Sequence, residues 1–288
     1  MQEGKPSGTA YRVALRRAAH QVFDSPIVFR DPLALRILGM TPEKLGGTDL
    51  RAPSRPHSVG LRAFLVGRSR FAEDTLADAV ATQGVTQYVL LGAGLDTFAY
   101  RNQHPGLRVF EVDHPDTQAW KLSLLSRTKI DVPSTVTHVA VDFHVDTLAQ
   151  QLAEAGFDMS QPAVFAWLGV VPYLTDEGFT ATMEFLSACA PGSELIFDYG
   201  LPPEALPQFE RMAFESMASR VAAAGEPFQL FFMPDAIHER LCRMGWELIE
   251  DLDTSALNAR YFAVGKLRAL GSGAHMLSAR LLPQKADG

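Results

Sequence analysis

This sequence contains no long apolar run and no excess of basic residues. Its apolar stretches all fall short of the roughly 20 residues that span a bilayer, which argues against a transmembrane helix. The formal net charge of −7 argues against binding to a phosphate backbone. The first residues also lack the apolar core of a secretory signal peptide. We therefore expect a cytoplasmic protein with neither a membrane nor a nucleic-acid partner.

Cysteine is scarce, and the histidines are scattered. The two cysteines, Cys189 and Cys242, lie in segments with a helical pattern, which favours a reducing compartment and small buried side chains over a disulfide. No group of cysteines and histidines has the spacing of a metal site, so we predict no metal. Apolar residues make up 47% of the 288 positions, which is ample for a complete core.

What the sequence does contain is a strand-like run that ends at two glycines. Residues 88–91 form a short apolar run, typical of a buried parallel strand. Gly92 and Gly94 follow, and glycine lets the backbone turn tightly and approach a ligand. The next apolar run ends in Asp113, where an acid can accept both ribose hydroxyls of a nucleotide. Because Thr97 replaces the third glycine of a dinucleotide site, the pattern favours S-adenosylmethionine over NAD.

Strand-like and helix-like segments alternate through the middle of the chain, which predicts a parallel sheet covered by helices. Ligands in such sheets lie beyond the carboxyl ends of the strands, where Gly92, Asp113, Asp142 and Leu168 fall. Two final strands are predicted near the end of the chain. The predicted strands are 87–92, 107–113, 136–141, 163–168, 193–199, 246–251 and 260–266, and the predicted helices between the first five of them are 95–103, 115–128, 145–155 and 176–189.

The same stretches contain several motifs in a fixed order. They are Leu-Gly-Ala-Gly-Leu-Asp-Thr at 91–97, Phe-Glu-Val-Asp-His-Pro at 110–115, Val-Asp-Phe at 141–143, Trp-Leu-Gly-Val-Val-Pro-Tyr-Leu-Thr at 167–175 and Phe-Asp-Tyr at 197–199. Together these motifs closely resemble the leucine carboxyl methyltransferase family, over roughly residues 9–266. Bacterial members of that family include S-adenosylmethionine-dependent O-methyltransferases, some of them attached to polyketide pathways.

The resemblance implies an α/β fold of the Rossmann-like class I methyltransferase type. We expect a mostly parallel seven-stranded sheet with helices on both faces, preceded by an N-terminal helical cap or lid over residues 1–84. The cofactor-binding core is predicted over 85–267, with a lid insertion at about 201–233. That insertion includes an amphipathic helix whose apolar face either joins the core or covers an apolar substrate. Residues 268–288 are expected to form a tail.

The resemblance also assigns residues to the cofactor. An arginine of the helix before the first strand is expected to bind the cofactor carboxylate, with Arg70 as first candidate and Arg68 as second; the alternative for Arg70 is pairing within the helix. Asp142 is expected to accept from the adenine amine or to cap a helix, and Phe143 to pack on the base or in the core. Leu168 also belongs to the expected cofactor site, although it stands where eukaryotic members have a glutamate, so a carboxylate contact is lost there.

The predicted reaction is methyl transfer to a carboxylate or hydroxyl of a small or carrier-protein-bound acceptor, with S-adenosylhomocysteine as product. Tyr173 and Tyr199 are candidates to orient the acceptor, and the alternative for both is packing in the core. The candidate bases, His57, His144 and Asp198, have no base-specific spacing, which fits a carboxylate better than a hydroxyl. The alternatives are a non-catalytic cofactor-binding module and an NAD-linked oxidoreductase.

Overall fold

A single sheet forms the centre of the molecule. The structure is a computed structural model that describes residues 7–46, 56–142, 147–223 and 225–283. Its seven-stranded sheet has the order β3-β2-β1-β4-β5-β7-β6. The strands are β1 Gln87–Leu91, β2 Arg108–Asp113, β3 Val136–Ala140, β4 Val164–Trp167, β5 Glu194–Gly200, β6 Trp246–Asp253 and β7 Ala274–Leu281.

Helices precede the sheet and connect most of its strands. In the described part of the chain, no helix combines the length and the apolar character needed to cross a bilayer. The helices are α1 Gly8–Phe23, α2 Pro42–Gly46, α3 Pro56–Gln83, α4 Pro115–Thr128, α5 Leu148–Glu154, α6 Asp176–Ser187, α7 Gln208–Ala223, α8 Pro234–Arg243 and α9 Thr254–Tyr261.

The direction of the strands creates a ligand-binding edge. Strands β1 to β5 pair in parallel, whereas β7 is antiparallel to both β5 and β6. The chain fills the sheet outward from β1 to β3 and then returns to place β4 on the other side of β1. Such a reversal opens a crevice at the carboxyl ends of the strands on either side of it. The predicted Rossmann-like, mostly parallel sheet is confirmed.

Both faces of the sheet are covered by helices, as predicted. Successive residues of a strand point to opposite faces, so Val89 joins one apolar cluster and Leu90 joins another. Phe179 of α6 and Ile237 of α8 belong to the cluster of Val89, and Leu76 of α3 belongs to that of Leu90. All five of these side chains are at most 5% exposed, so the sheet is the middle of three packed layers.

The helix predicted over 95–103 is wrong, because the chain there forms only a short 3₁₀ turn, Phe98–Tyr100. Local side-chain bonds compete with a helical ladder at this point. Asp96 Oδ1 accepts from the backbone nitrogen of Phe98 at 2.7 Å. Arg17 donates to the carbonyl of Leu95 at 3.1 Å. The first turn that a helix would need is therefore replaced by contacts to side chains.

The end of the chain also differs from the prediction. Residues 260–266 do not form a strand; α9 occupies 254–261, with Asp253 as its N-cap. The last strand is instead β7, which lies within the 268–288 segment that was expected to be a tail. Because β7 pairs with β5 on one side and β6 on the other, the core of the protein extends to Leu281.

Candidate functional site

The chain turns sharply after β1 at two glycines with left-handed backbone conformations. Gly92 has φ +75° and Gly94 has φ +48°, a region that favours glycine. The backbone nitrogens of Gly92 and Ala93 both donate to the carbonyl of Val112, at 2.9 and 3.0 Å. A Cβ atom on Gly92 would lie 2.4 Å from Cγ2 of Val170. The bend is therefore fixed to β2 and has no room for a larger residue at position 92.

Asp113 ends β2 and faces this bend. Its Oδ2 accepts from the backbone nitrogen of Gly94 at 2.6 Å, and its Oδ1 accepts from that of His114 at 2.7 Å. Burial raises the pKa of Asp113, although both hydrogen bonds act in the opposite direction. Val141 donates its N–H to the carbonyl of Asp113 at 2.9 Å, so the half-buried Asp142 follows at the same edge of the sheet.

A buried ion pair lies at the carboxyl ends of β4 and β5. Nη1 of Arg68, from α3, donates to Oδ2 of Asp198 at 2.8 Å, and the two side chains are 9% and 8% exposed. The backbone nitrogen of Gly169 donates to Oδ1 of Asp198 at 2.5 Å. A Cβ atom on Gly169, which has φ +70°, would lie 2.7 Å from Nη1 of Arg68. Glycine at position 169 therefore allows the guanidinium to lie against the backbone.

The guanidinium of Arg68 has unused hydrogen-bonding capacity. Its Nε is buried and has no hydrogen-bond partner among the described residues. A buried donor without a partner costs free energy, and a carboxylate matches the planar donor geometry of arginine. One edge of the sheet thus offers a glycine bend, an acid facing it and an arginine with a free donor. These groups fit the backbone-close approach, the ribose hydroxyls and the carboxylate of S-adenosylmethionine.

Comparisons with known proteins identify the family of this chain. The family model for "Leucine carboxyl methyltransferase" matches residues 10–187, more than half of the chain. The chain belongs to the leucine carboxyl methyltransferase family. It is an S-adenosylmethionine-dependent methyltransferase, and the NAD-linked alternative is set aside.

Relatives of this methyltransferase cover most of its length. A candidate S-adenosyl-L-methionine-dependent methyltransferase of Bacillus subtilis, YktD, is 28% identical over 91% of this chain and 93% of its own. A candidate enzyme of the same description from Streptomyces avermitilis is 32% identical over 91% of this chain and 90% of its own. The crystal structure of a candidate methyltransferase from Thermobifida fusca superposes with a TM-score of 0.61 at 17% identity, covering 98% of this chain and 97% of that one. That structural likeness supports the fold.

Arg70, the first candidate for the cofactor carboxylate, lies away from the strand ends of the methyltransferase. Its side chain is 46% exposed, and its Nε donates to Asp74 at 2.7 Å, as the alternative prediction had it. Side chains two positions apart in a helix differ in direction by about 200° around the helix axis. Arg68 therefore reaches the strand ends, whereas Arg70 does not. Leu168 packs in the apolar cluster beside α3 and offers no polar group. Phe143 lies outside the described residues.

The two predicted acceptor-orienting tyrosines occupy different surroundings. Tyr199 is 2% exposed, donates its hydroxyl to Asp251 at 2.6 Å, and stacks on His275 with ring centroids 4.9 Å apart. The structure therefore corrects its predicted role, because a buried and engaged phenol does not reach an acceptor. Tyr173 follows β4, is half-buried, and packs against Phe228 with centroids 5.0 Å apart. Tyr173 stays a prediction as an acceptor-orienting residue of the methyltransferase.

The start of α1 covers the glycine bend of the methyltransferase. A Cβ atom on Gly94 would lie 3.2 Å from that of Ala10, in the first turn of α1. Glu226, in the segment after α7, accepts hydrogen bonds from Ser7 Oγ at 3.0 Å and from Thr9 Oγ1. The N-terminal helix and the segment after α7 therefore meet above the glycine bend.

Sequence reasoning missed a buried charge network behind the bend of the methyltransferase. Arg17 is 3% exposed and pairs with Asp31 at 3.0 Å and with Asp96 at 2.9 Å. Arg101 pairs with Glu73 of α3 in the same region. Asp96 and Arg101 lie within seven residues after Gly94, and two charged residues this close to the glycine bend were the available signal for the network. The network holds α1 and α3 against the segment that follows the bend.

Proposed function

We propose that this methyltransferase transfers the methyl group to oxygen, and that a carboxylate is the preferred acceptor over a hydroxyl. The acceptor that we propose is a small or carrier-protein-bound metabolite, of the polyketide type. The observation that supports a carboxylate is that Asp198, the candidate base whose side chain is described, is ion-paired with Arg68. The imidazoles of two other candidates, His57 and His144, lie outside the part of the chain whose side chains are described.

In this proposal, different residues at the sheet edge bind different parts of the cofactor. Gly92 and Gly94 let the backbone approach the nucleoside, and Asp113 accepts from the ribose hydroxyls. Asp142, at the end of β3, accepts from the adenine amine. Arg68, and not Arg70, binds the carboxylate of the cofactor, because its buried guanidinium has a free donor. All of these groups lie at the carboxyl ends of strands or are turned towards them.

When bound, the cofactor supplies an electrophilic methyl group on a sulfonium. The contribution of the chain is alignment, which can lower a barrier by on the order of 7–11 kcal/mol, together with exclusion of water. The segment after α7 runs across the ends of β4 and β5. Gln229 donates its backbone N–H to the carbonyl of Pro172 at 2.7 Å, and Phe232 donates to that of Gly200 at 3.0 Å. These two hydrogen bonds hold the segment after α7 over the carboxyl ends of β4 and β5.

Asp198, the candidate base whose side chain is described, is poorly suited to remove a proton because it is ion-paired with Arg68. The hydroxyl of Tyr199 is also engaged, as a donor to Asp251. Burial raises the pKa of Tyr173, although a hydrogen bond with Thr9 acts in the opposite direction, so its phenol is not a base at neutral pH. A carboxylate is already ionised at neutral pH, whereas a hydroxyl needs a base. This difference favours a carboxylate.

Aromatic rings in and beside the segment after α7 favour an apolar acceptor. Tyr173 packs on Phe228 at 5.0 Å between centroids, Phe228 on Phe214 at 5.6 Å, and Phe214 on Phe231 at 5.7 Å. These rings come from the turn after β4, from α7 and from the segment that follows it. A continuous row of rings next to the cofactor edge suits the carbon skeleton of a polyketide-type acid.

The proposal is tested by the fate of a labelled methyl group. The purified protein is incubated with methyl-labelled cofactor and with matched acceptors, each offered as the acid and as the corresponding alcohol. Methyl esters release volatile labelled methanol in mild alkali, whereas methyl ethers do not. We expect base-labile label with the acids. Label that is stable to alkali, or transfer to alcohols alone, contradicts the carboxylate proposal. Asp113→Ala, which lacks the proposed ribose ligand, supplies the background.

A further inference from the structure

The cofactor edge lacks an acid at position 168 but has one on the neighbouring strand. Leu168 packs among apolar residues beside α3. Asp198 of β5 instead places a carboxylate 2.5 Å from the backbone nitrogen of Gly169, the residue that follows Leu168. A carboxylate therefore reaches the end of β4 from the next strand in the sheet.

Asp198 and Arg68 form a pair with acceptor and donor capacity left over. Among the described residues, Arg68 makes one hydrogen bond, through Nη1, and its buried Nε has none. Each oxygen of Asp198 accepts one hydrogen bond, whereas a carboxylate has about four acceptor positions. An ion pair that serves stability alone gains most when its remaining groups are satisfied, because burying both charges is costly. The incomplete satisfaction of this pair points to a ligand that carries both charges.

The amino-acid portion of S-adenosylmethionine carries an α-ammonium and an α-carboxylate on the same carbon. We propose that Asp198 binds the α-ammonium group, next to Arg68 on the α-carboxylate. This inference rests on the proposed assignment of Arg68. It is consistent with the order of the sheet, because β2 and β1 hold the proposed nucleoside ligands and β4 and β5 follow on the other side of the bend. Asp198 on β5 thus supplies the carboxylate that position 168 lacks.

The test compares four ligands by isothermal titration calorimetry. They are S-adenosylhomocysteine, its deaminated analogue 5′-deoxy-5′-(3-carboxypropylthio)adenosine, its decarboxylated analogue 5′-deoxy-5′-(3-aminopropylthio)adenosine, and 5′-methylthioadenosine, which lacks both charges. The wild-type protein should bind S-adenosylhomocysteine on the order of ten- to a hundredfold more tightly than the deaminated analogue, the usual range for a charged hydrogen bond. Asp198→Asn should abolish that preference and leave the affinity for the deaminated analogue nearly unchanged.

Two controls separate binding from folding. Asp176→Asn, at an exposed acid of α6, should retain the full preference for the amine. Asp198→Glu keeps the charge and should retain part of the preference, so it serves if Asp198→Asn unfolds in thermal melts. Arg68→Gln should instead abolish the preference for S-adenosylhomocysteine over the decarboxylated analogue.

The possible failures can be told apart. If wild-type protein binds the deaminated analogue as tightly as S-adenosylhomocysteine, Asp198 is not an ammonium ligand. If Asp198→Asn weakens both ligands by the same factor, Asp198 only positions Arg68, and the inference is overturned while the cofactor assignment stands. If none of the four ligands binds, the nucleoside and carboxylate assignments fail together with it.

Discussion

Oδ2 of Asp113 lies 2.6 Å from the backbone nitrogen of Gly94, so the acid that ends β2 faces the bend that follows β1. The same carboxylate is held by His114 on its other oxygen. Two hydrogen bonds fix its orientation before any ligand arrives, which lowers the entropy that the proposed binding of ribose hydroxyls would cost. The relationship joins the two motifs on which the cofactor assignment depends.

Cofactor affinity should fall in mild acid because of Asp113. Burial raises the pKa of this carboxyl above its ordinary value of 3.8. Protonation removes an acceptor for ribose hydroxyls, so affinity for S-adenosylhomocysteine should begin to fall at a higher pH than an ordinary aspartate predicts. Calorimetry from pH 7.5 to 4.5 measures this, and Asp113→Asn should remove most of the dependence. An equal pH dependence in both proteins counts against the assignment.

Gly92→Ala should damage the bend more than a change at a comparable glycine. Gly92 has φ +75° and an added Cβ would meet Val170 at 2.4 Å, whereas Gly84 has φ +68° and nothing within 4 Å. Both substitutions share the cost of a left-handed conformation, on the order of 1 kcal/mol. The clash should add about 1–3 kcal/mol to the effect of Gly92→Ala. Urea unfolding of the two variants isolates that difference, and equal destabilisation refutes the clash.

The two arginines of α3 should respond differently to substitution. Arg68→Gln removes the proposed carboxylate ligand and should weaken S-adenosylhomocysteine on the order of ten- to a hundredfold. Arg70→Gln removes an exposed pair with Asp74 and should change affinity and stability little, since such pairs contribute about 0–1 kcal/mol. Calorimetry and thermal melts on both variants decide the point. A larger loss of affinity in Arg70→Gln restores the original assignment.

Arg17→Met should be strongly destabilising. Arg17 is buried between Asp31 and Asp96, and removing one partner of a buried ionic network typically costs about 3–5 kcal/mol. Arg12→Met, at an exposed position of the same helix, is the matched control. Chemical denaturation measures both free energies of unfolding. A cost below about 1 kcal/mol for Arg17→Met is typical of a surface pair and contradicts the role of the network.

The ionised carboxylate of Asp251 should stabilise the fold, and this contribution should be lost in strong acid. Burial acts to raise its pKa, yet hydrogen bonds from His275, Tyr199 and His238 hold that pKa below its ordinary value of 3.8. A lowered folded-state pKa means that the ionised form stabilises the protein. This contribution is complete above the ordinary value and is lost as the pH falls below it. The unfolding free energies of wild type and Asp251→Asn should therefore converge below pH 3.8, and a gap that widens there is incompatible with this sign.

Local patterns in the sequence predicted the bend, the acid and the parallel strands, because each depends on a short apolar run and its ending. The choice between Arg68 and Arg70 needed the structure. Helix α3 has apolar residues on nearly every side, so its sequence does not show which arginine turns towards the sheet. The contacts of Asp198 could not be predicted either, because its partners Arg68 and Gly169 come from distant segments of the sequence.

Strand β7 could not be predicted from the sequence for a different reason. The β7 segment lies between two strands and has both faces covered, yet it contains His275, Ser278 and Arg280, which break the continuous apolar run expected of an inner strand. These polar residues find partners that only the assembled sheet supplies: His275 contacts Asp251, and Arg280 pairs with Glu194.

The place of β7 has a consequence for synthesis on the ribosome. Strands β1 to β5 can assemble as they emerge, but β6 joins the sheet only through β7, which is made later. Until residues 274–281 leave the exit tunnel, one side of β5 presents unpaired backbone groups to other nascent chains. The hazard of aggregation therefore lasts until β7 is available, and during that interval a chaperone that shields the open side of β5 has most to contribute.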